Sequence, residues 1–335
     1  MSTTPITYFG NKRKIAPLIW KHIGDVDKFI DCFGGSMSVL LARPHRLTLQ
    51  HHEVVNDLDG RLVNFYRAMK YDPIGLAKGA RNVMRASVEA WARAAELKQA
   101  SDDLVSKLSG SSQYYDLELA ISYVFVNSVQ IGKSYVMGAY GIDSEKKFTK
   151  LYVGNDSRGV SRSRINVRHS VYMNMTEESH IKYYQWLSDR LKRVVILCGE
   201  WDSPLSSFTA IAGKGKRDGD WSTGIILDPP YAGDNHDIKL YESHNLSVSP
   251  AVREKAIELG EDKRLKIALC GYIEEHDKGI PANWHRVSWS ADVGYASQKK
   301  DKSNNNRQKE MIWFSPGCDI IEEKVQVKNK QLQLF

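Results

Sequence analysis

Phe29-Ile30-Asp31-Cys32-Phe33-Gly34-Gly35-Ser36-Met37-Ser38 is an apolar run that stops at two glycines and continues with residues suited to opening a helix. An apolar run closed by glycine reads as a buried strand followed by a turn. The glycines let a ligand come close to the backbone where a side chain would block it. In an open α/β sheet the carboxyl end of such a strand is where nucleotide-like ligands sit. The next helix is expected to begin near Ser36. The spacing is not Gly-x-Gly-x-x-Gly, so a dinucleotide is disfavoured, and taken alone the segment also fits a tight strand-to-helix turn with no ligand.

Outward from this turn, seven β-like runs can be picked out: Lys28–Cys32, Glu53–Asn56, Val194–Cys198, Gly224–Leu227, Leu265–Leu269, His285–Trp289 and Met311–Phe314. Helical spacing lies between several of them. Ile15, Leu18, Ile19 and Ile23 share one face of a first helix that Gly24 can end, and Leu62, Val63, Tyr66 and Met69 mark another. Ser249–Leu259 reads as a helix capped by Ser249, with Pro250 in its first turn and Gly260 as its stop. Strands alternating with helices predict a doubly wound, Rossmann-like α/β sheet of seven mostly parallel strands.

The interval from Tyr71 to Thr176 differs. Arg81–Ala100 is alanine-rich, Tyr114–Val129 has apolar residues at helical spacing, and the remainder is polar, with turns around Gly138–Gly141 and a basic stretch from Arg158 to Arg168. The expected organisation is therefore a catalytic domain formed by residues 1–70 and 177–335, with a mostly helical insertion at 71–176.

The whole chain narrows the classes. It has 335 residues, 42% of them hydrophobic, enough for an ordinary core. No apolar run approaches the ~18 residues of a membrane span, and the first residues do not resemble a signal peptide. Cys32, Cys198, Cys270 and Cys318 lie far apart without paired spacing, and no histidine cluster has ligand spacing, so neither disulfides nor a metal is expected. The net charge of +7 suits a polyanionic partner such as nucleic acid.

Two further motifs carry chemistry. Val54-Val55-Asn56-Asp57-Leu58-Asp59 ends the second strand with acids. A carboxylate there can accept both hydroxyls of a ribose; Asp57 is the better candidate, and Asp59 reads as a helix cap. Ile225-Ile226-Leu227-Asp228-Pro229-Pro230-Tyr231 is more specific. The prolines fix a rigid turn, remove backbone donors and leave carbonyl acceptors. Asp228 adds a carboxylate and Tyr231 an aromatic face. An amino group with two hydrogens on a flat ring needs two acceptors and a stacking surface.

The order of these motifs resembles the Dam-like family of DNA N6-adenine methyltransferases. Asp228-Pro229-Pro230-Tyr231 matches the family's catalytic tetrapeptide completely. The glycine turn, with Asp31, Phe33, Gly34, Gly35 and Ser36, resembles its Asp/Glu-x-Phe-x-Gly-x-x-Ser form. Tyr8-Phe9-Gly10-Asn11-Lys12 resembles its N-terminal motif, whose lysine lies near the catalytic turn, although Lys12-Arg13-Lys14 could also be a solvated basic turn. Glu200-Trp201 stands where the family usually has Asp-Phe beside the cofactor adenine, a departure at the acid. Glu310–Trp313 resembles a late strand. The resemblance covers about residues 5–70 and 190–316.

It implies S-adenosylmethionine as cofactor, held by Tyr8, Asp31, Phe33, Gly34, Gly35, Ser36, Asp57, Glu200 and Trp201. It implies catalysis by Asp228, Pro229, Pro230, Tyr231 and Lys12 on an adenine flipped from double-stranded DNA, in a prokaryotic or phage cytoplasmic protein. Phosphate contacts are expected from Arg158, Arg162 and Arg164 and from the basic loop Gln298–Lys309, with Lys299, Lys300, Lys302 and Arg307, expected to be mobile until DNA orders it. Methylation of cytosine N4 or of RNA adenine, and a catalytically silent DNA-binding subunit, stay open. The absence of a Pro-Cys pair counts against cytosine C5 chemistry.

Overall fold

The computed structural model describes residues 4–6, 8, 10–44, 51–85, 101–129, 140–142, 148–150, 176–212, 221–230, 248–289 and 310–321. Seven strands form the main sheet: β1 (Lys28–Asp31), β2 (His52–Asp57), β5 (Val194–Cys198), β6 (Thr223–Leu227), β7 (Leu265–Tyr272), β8 (His285–Ser288) and β9 (Glu310–Phe314). Their order is β5-β2-β1-β6-β7-β9-β8. The first five are parallel, and β9 enters antiparallel between β7 and β8. This mixed α/β sheet is compatible with a methyltransferase fold. All seven runs read from the sequence are strands, and β7 extends three residues further, to Tyr272.

Side chains alternate across the sheet with the period of a strand. Phe29, Val55, Ile196, Ile226 and Ala268 join one core with Trp20 and Phe65. Ile30, Ile225, Leu227, Ile267 and Leu269 join another with Val252, Trp284 and Trp313. Both faces are covered, which explains why β1 and β6 read as continuous apolar runs. The helix Ala16–Ile23 buries Ile19, Trp20 and Ile23, and Gly24 ends it at φ +69°, its N–H bonding Trp20 O at 2.8 Å. The helix Gly60–Tyr71 is capped by Asp59, whose carboxylate accepts from Arg61 N at 2.9 Å, as its sequence suggested.

Two helix starts differ from expectation. The helix after the glycine turn begins at Ser38 rather than near Ser36, because Gly35 (φ 47°) and Met37 (φ 52°) occupy left-handed backbone that a helix cannot include. The later helix spans Val248–Gly260, so Ser249 lies inside it, and so does Gly260. The Ser249 hydroxyl is engaged by His276 Nε2 at 3.3 Å rather than by a cap bond.

Between β2 and β5, helices Pro73–Arg85, Ser101–Gly110 and Leu117–Val129 pack against Gly60–Tyr71 and Glu177–Leu191. Leu76, Ala80, Leu104, Leu108, Ile121 and Val124 belong to the same core as the sheet's first face. Asn64 donates to Asp116 O at 2.8 Å and accepts from Asp116 N at 2.7 Å, a side chain mimicking a strand pair. The buried Arg67 guanidinium donates to the carbonyls of Ile196, Leu108, Ser111 and Tyr114. Further on, Tyr140–Ile142 and Phe148–Lys150 form an antiparallel pair, β3 and β4, where turns were expected around Tyr140 and Gly141. Strands of three residues are too short to show an alternating pattern in the sequence.

All four cysteines are buried and unpaired. Among the described residues no group of His, Cys, Asp and Glu could hold a metal ion, and no helix is long and apolar enough to cross a membrane.

Candidate active site at the ends of β1, β2, β5 and β6

Strand order reverses at β1, which has β2 on one side and β6 on the other. The two connections leave in opposite directions, and a crevice opens at the carboxyl ends of β1 and β6. The glycine turn lines one side of it and Asp228-Pro229-Pro230 the other.

Lys12 Nζ reaches Asp228 Oδ2 at 2.7 Å and also donates to Gly10 O at 3.2 Å. Its own backbone N–H donates to the Ser38 hydroxyl at 3.2 Å, which locks the N-terminal segment onto the helix after the glycine turn. The ammonium sits 5.7 Å from the centre of the Trp289 ring. Burial works against this charge, but Asp228 outweighs it, and the Lys12 pKa is raised above the ordinary lysine value. Lys12 is therefore a permanent cation at the cleft wall, not a solvated turn residue. Pro229 is buried and Pro230 half-buried.

The glycine turn is held from β2. Gly34 N donates to Asn56 O at 2.7 Å, and Gly35 N to Asp57 Oδ2 at 2.8 Å. A Cβ on Gly34 would stand 2.4 Å from Val55 Cγ1, and one on Gly35 3.0 Å from the Tyr8 ring. Glycine is required at both positions, at one for space and at the other for backbone conformation as well. Asp57 Oδ1 accepts from Asp59 N at 2.9 Å, so this carboxylate pins the turn and the next helix start together. Asp31 is buried and accepts from Phe33 N at 3.3 Å. Ser36 is buried beside it in the turn.

Charge is costly here. Burial first, then Asp228, pushes the Asp31 carboxyl up to about 7. Burial also pushes Asp57 up to about 6, with backbone hydrogen bonds opposing the rise. Glu310, at the start of β9, is raised by burial, with Lys12 opposing and Asp228 adding to the shift.

At the end of β5 the Phe33 and Trp201 rings lie parallel, 8° between planes and 6.2 Å between centres. Glu200 and Trp201 follow Gly199, which pairs to Asp57 O at 3.2 Å. Asn56 joins the three strand ends: its Nδ2 donates to Cys32 O at 3.3 Å, Gly199 O at 3.0 Å and Glu200 O at 3.2 Å. Its Oδ1 is buried and accepts from no described residue.

Tyr8, Lys12, Asp31, Phe33, Gly34, Gly35, Ser36, Asp57, Glu200, Trp201, Asp228, Pro229 and Pro230 are thus brought to one rim of the sheet. Tyr231 lies outside the described residues, as do Arg158, Arg162, Arg164, Lys299, Lys300, Lys302 and Arg307. Asn56, Trp289 and Glu310 were not singled out as site residues from the sequence. A polar residue in the apolar Val54–Val55 run was the available sign for Asn56; the others arrive by strand pairing.

Residues 8–154 match the D12 class N6 adenine-specific DNA methyltransferase family. The Dam-like resemblance is thereby borne out, and the match supports DNA adenine methylation as the activity. No curated protein matches the chain. The D12 class match takes in Tyr8, Lys12, the glycine turn and Asp57, and runs on through the helices after β2, a stretch that sequence reading could not place. It ends before Glu200 and Asp228. Geometry alone brings those two residues to the same rim of the sheet.

Proposed function

We propose that this chain transfers a methyl group to N6 of an adenine flipped out of double-stranded DNA. The observation that carries the reading is the Lys12–Asp228 pair, set at the switch point of the sheet within reach of the glycine turn.

When bound, S-adenosylmethionine supplies an electrophilic methyl group on a cationic sulfur. The residues present fit it. The Gly34–Gly35 turn is a cradle that a Cβ would fill, Asp31 and Asp57 are carboxylates for its cationic and hydroxyl groups, and Phe33 and Trp201 offer ring faces. Glu200 and Tyr8 would complete the enclosure, with Ser36 in the turn below.

The adenine amino nitrogen is a poor nucleophile because its lone pair is conjugated into the ring. Asp228 and the Pro229 carbonyl would accept its two hydrogens and draw the lone pair out of conjugation, the surplus proton leaving after the methyl group is transferred. Lys12 holds Asp228 in place, so orientation, fixed before the base arrives, does the work. Pro230 stiffens the turn and Tyr231 would stack on the flipped base. The segment 71–176, with Arg158, Arg162 and Arg164, and the loop bearing Lys299, Lys300, Lys302 and Arg307 would hold phosphates.

Expression in a host lacking adenine methylation, digestion of its DNA to nucleosides and mass spectrometry test this. N6-methyladenine is expected with the wild type and absent with Asp228→Ala. N4-methylcytosine, or no methylated base, would overturn the reading.

A further inference from the structure

On the methyl-transfer reading above, in-line attack sets where the target base lies. The nucleophile approaches the methyl group from the side opposite the sulfur, along a lone pair that stands out of the ring plane. One face of the adenine therefore looks toward the cofactor and the other away from it. The groups proposed to hold the cofactor sit at the ends of β1, β2 and β5, and the acceptors for the amine at the end of β6. Strand order continues from β6 to β7, β9 and β8. The far face of the base is thus turned toward the ends of those three strands.

Strand pairing sets three half-buried residues in one row there. Tyr272 ends β7 and pairs with Glu310 of β9, whose carbonyl accepts from Trp289 N at 3.1 Å. Residues two apart on a strand share a face of the sheet. Cys270 and Ile312, each two residues inward along its strand, belong to the same core as Ile226. Tyr272 and Glu310 therefore stand on the Ile226 face, and so does Asp228, two residues after Ile226. Leu227 pairs with Leu269, so Asp228 falls level with Cys270. Tyr272 is then one strand across from Asp228, about 4.8 Å, and two residues further out, about 6.6 Å. The three side chains in the row differ. Trp289 stands farthest from β6, and its ring centre is 5.7 Å from the Lys12 ammonium. Glu310 contributes a carboxylate, which suits an uncharged base and turns away a phosphate. Tyr272 is the ring nearest Asp228 by strand order, and burial, then Glu310, raises its phenol above the ordinary value, so it stays neutral. We propose that Tyr272 stacks on the face of the flipped adenine turned away from the cofactor. Tyr231 would take the other face, and the base is held between two rings.

Kinetics on the full chain test this, with S-adenosylmethionine and plasmid DNA from a host lacking adenine methylation as substrates. Tyr272→Phe keeps the ring, and Tyr272→Leu keeps much of the bulk without it. Tyr272→Phe is expected to stay within about twofold of the wild type in kcat/KM for DNA, because the ring face is kept. Tyr272→Leu is expected to lose at least about tenfold, the scale of one base–ring stack. Calorimetry with S-adenosylhomocysteine should give the same affinity in all three proteins, which separates stacking from a general loosening of the site. Tyr272→Met reads the same loss if Tyr272→Leu does not fold. Full activity in a ringless variant would overturn the proposal. So would an equal loss in Tyr272→Phe, or a loss of S-adenosylhomocysteine affinity in Tyr272→Leu. A wild type that methylates no adenine would overturn the methyl-transfer reading itself, and this proposal with it.

Discussion

The Lys12 ammonium lies 2.7 Å from the Asp228 carboxylate, and the two come from opposite parts of the chain: one precedes the first helix and the other ends β6. Both are largely withdrawn from water, at 5% and 20% side-chain exposure. A pair so placed is strongly destabilising to break on one side, because the remaining charge stays desolvated. Asp228→Ala is therefore expected to lower turnover at least about a hundredfold, some 2.7 kcal/mol of transition-state stabilisation, and also to lower the melting temperature. Adding Lys12→Met should restore part of the melting temperature and none of the turnover. Recovery of turnover in the double variant would show that the pair is only structural.

Asp57 has two duties, and one substitution should expose both. Its oxygens accept from Gly35 N and Asp59 N. Asp57→Ala is expected to weaken S-adenosylmethionine binding by roughly 1.5–3 kcal/mol, the range for a lost charged acceptor, and to destabilise the fold in the absence of cofactor. Calorimetry and thermal unfolding of the same preparation separate the two losses. Unchanged affinity would leave Asp57 as a turn-holding acid alone.

The raised carboxyl pKa values give cofactor binding a pH dependence with a definite sign. Asp31, at about 7, and Asp57, at about 6, are progressively protonated as pH falls from 8 to 5.5. A cationic ligand needs them ionised, so affinity should decline across that interval. For stability the linkage runs the other way. Asp31 has a folded pKa above its unfolded value of 3.8, so its ionisation costs the fold more as pH rises, and in full above about 7. Asp31→Asn, which keeps an acceptor for Phe33 N, is expected to raise the melting temperature at pH 8 by about 2–4 °C, the scale of roughly 1 kcal/mol. The gain should vanish toward pH 4, and cofactor affinity should be lost at every pH. A variant no more stable than the wild type at pH 8 would count against the buried charge.

Far from the site, Glu53 lies between two arginines. Arg190 meets it at 2.6 and 2.9 Å and Arg43 at 3.3 Å, with Glu53 2% exposed. Glu53→Ala leaves two cations facing each other and is expected to cost about 3–5 kcal/mol in denaturant titrations. A cost under about 1 kcal/mol would mean that water or relaxation replaces the carboxylate.

The strands and the rim of the site were legible because their signals are local. Apolar runs ending in Gly34-Gly35, Asp57 or Asp228-Pro229 carry both the element and its terminus. Contacts made across the chain were not legible. The residues around Lys12 do not themselves point to Asp228, and only the family resemblance sets that lysine near the turn; nothing in Asn56 shows that it will gather the ends of β1, β2 and β5. The start at Val248 was missed because Ser249 carries a cap's residue type but spends its hydroxyl on His276, a tertiary choice. The helix after the glycine turn starts two residues later than its sequence suggests, because a left-handed Met37 is rare enough that sequence does not signal it.

The four cysteines have a practical consequence for experiments that watch this protein move. Each is shielded by the core, and burial, the largest cause in every case, pushes Cys198 up to about 11 and Cys318 up to about 12, with Cys32 and Cys270 also held well above the ordinary thiol value. Thiolate, the form that attacks maleimides, is scarce at neutral pH in all of them. A single cysteine introduced on the surface would then be the one reactive thiol of the folded chain. Fluorophores or spin labels can be attached there with the native sequence otherwise intact.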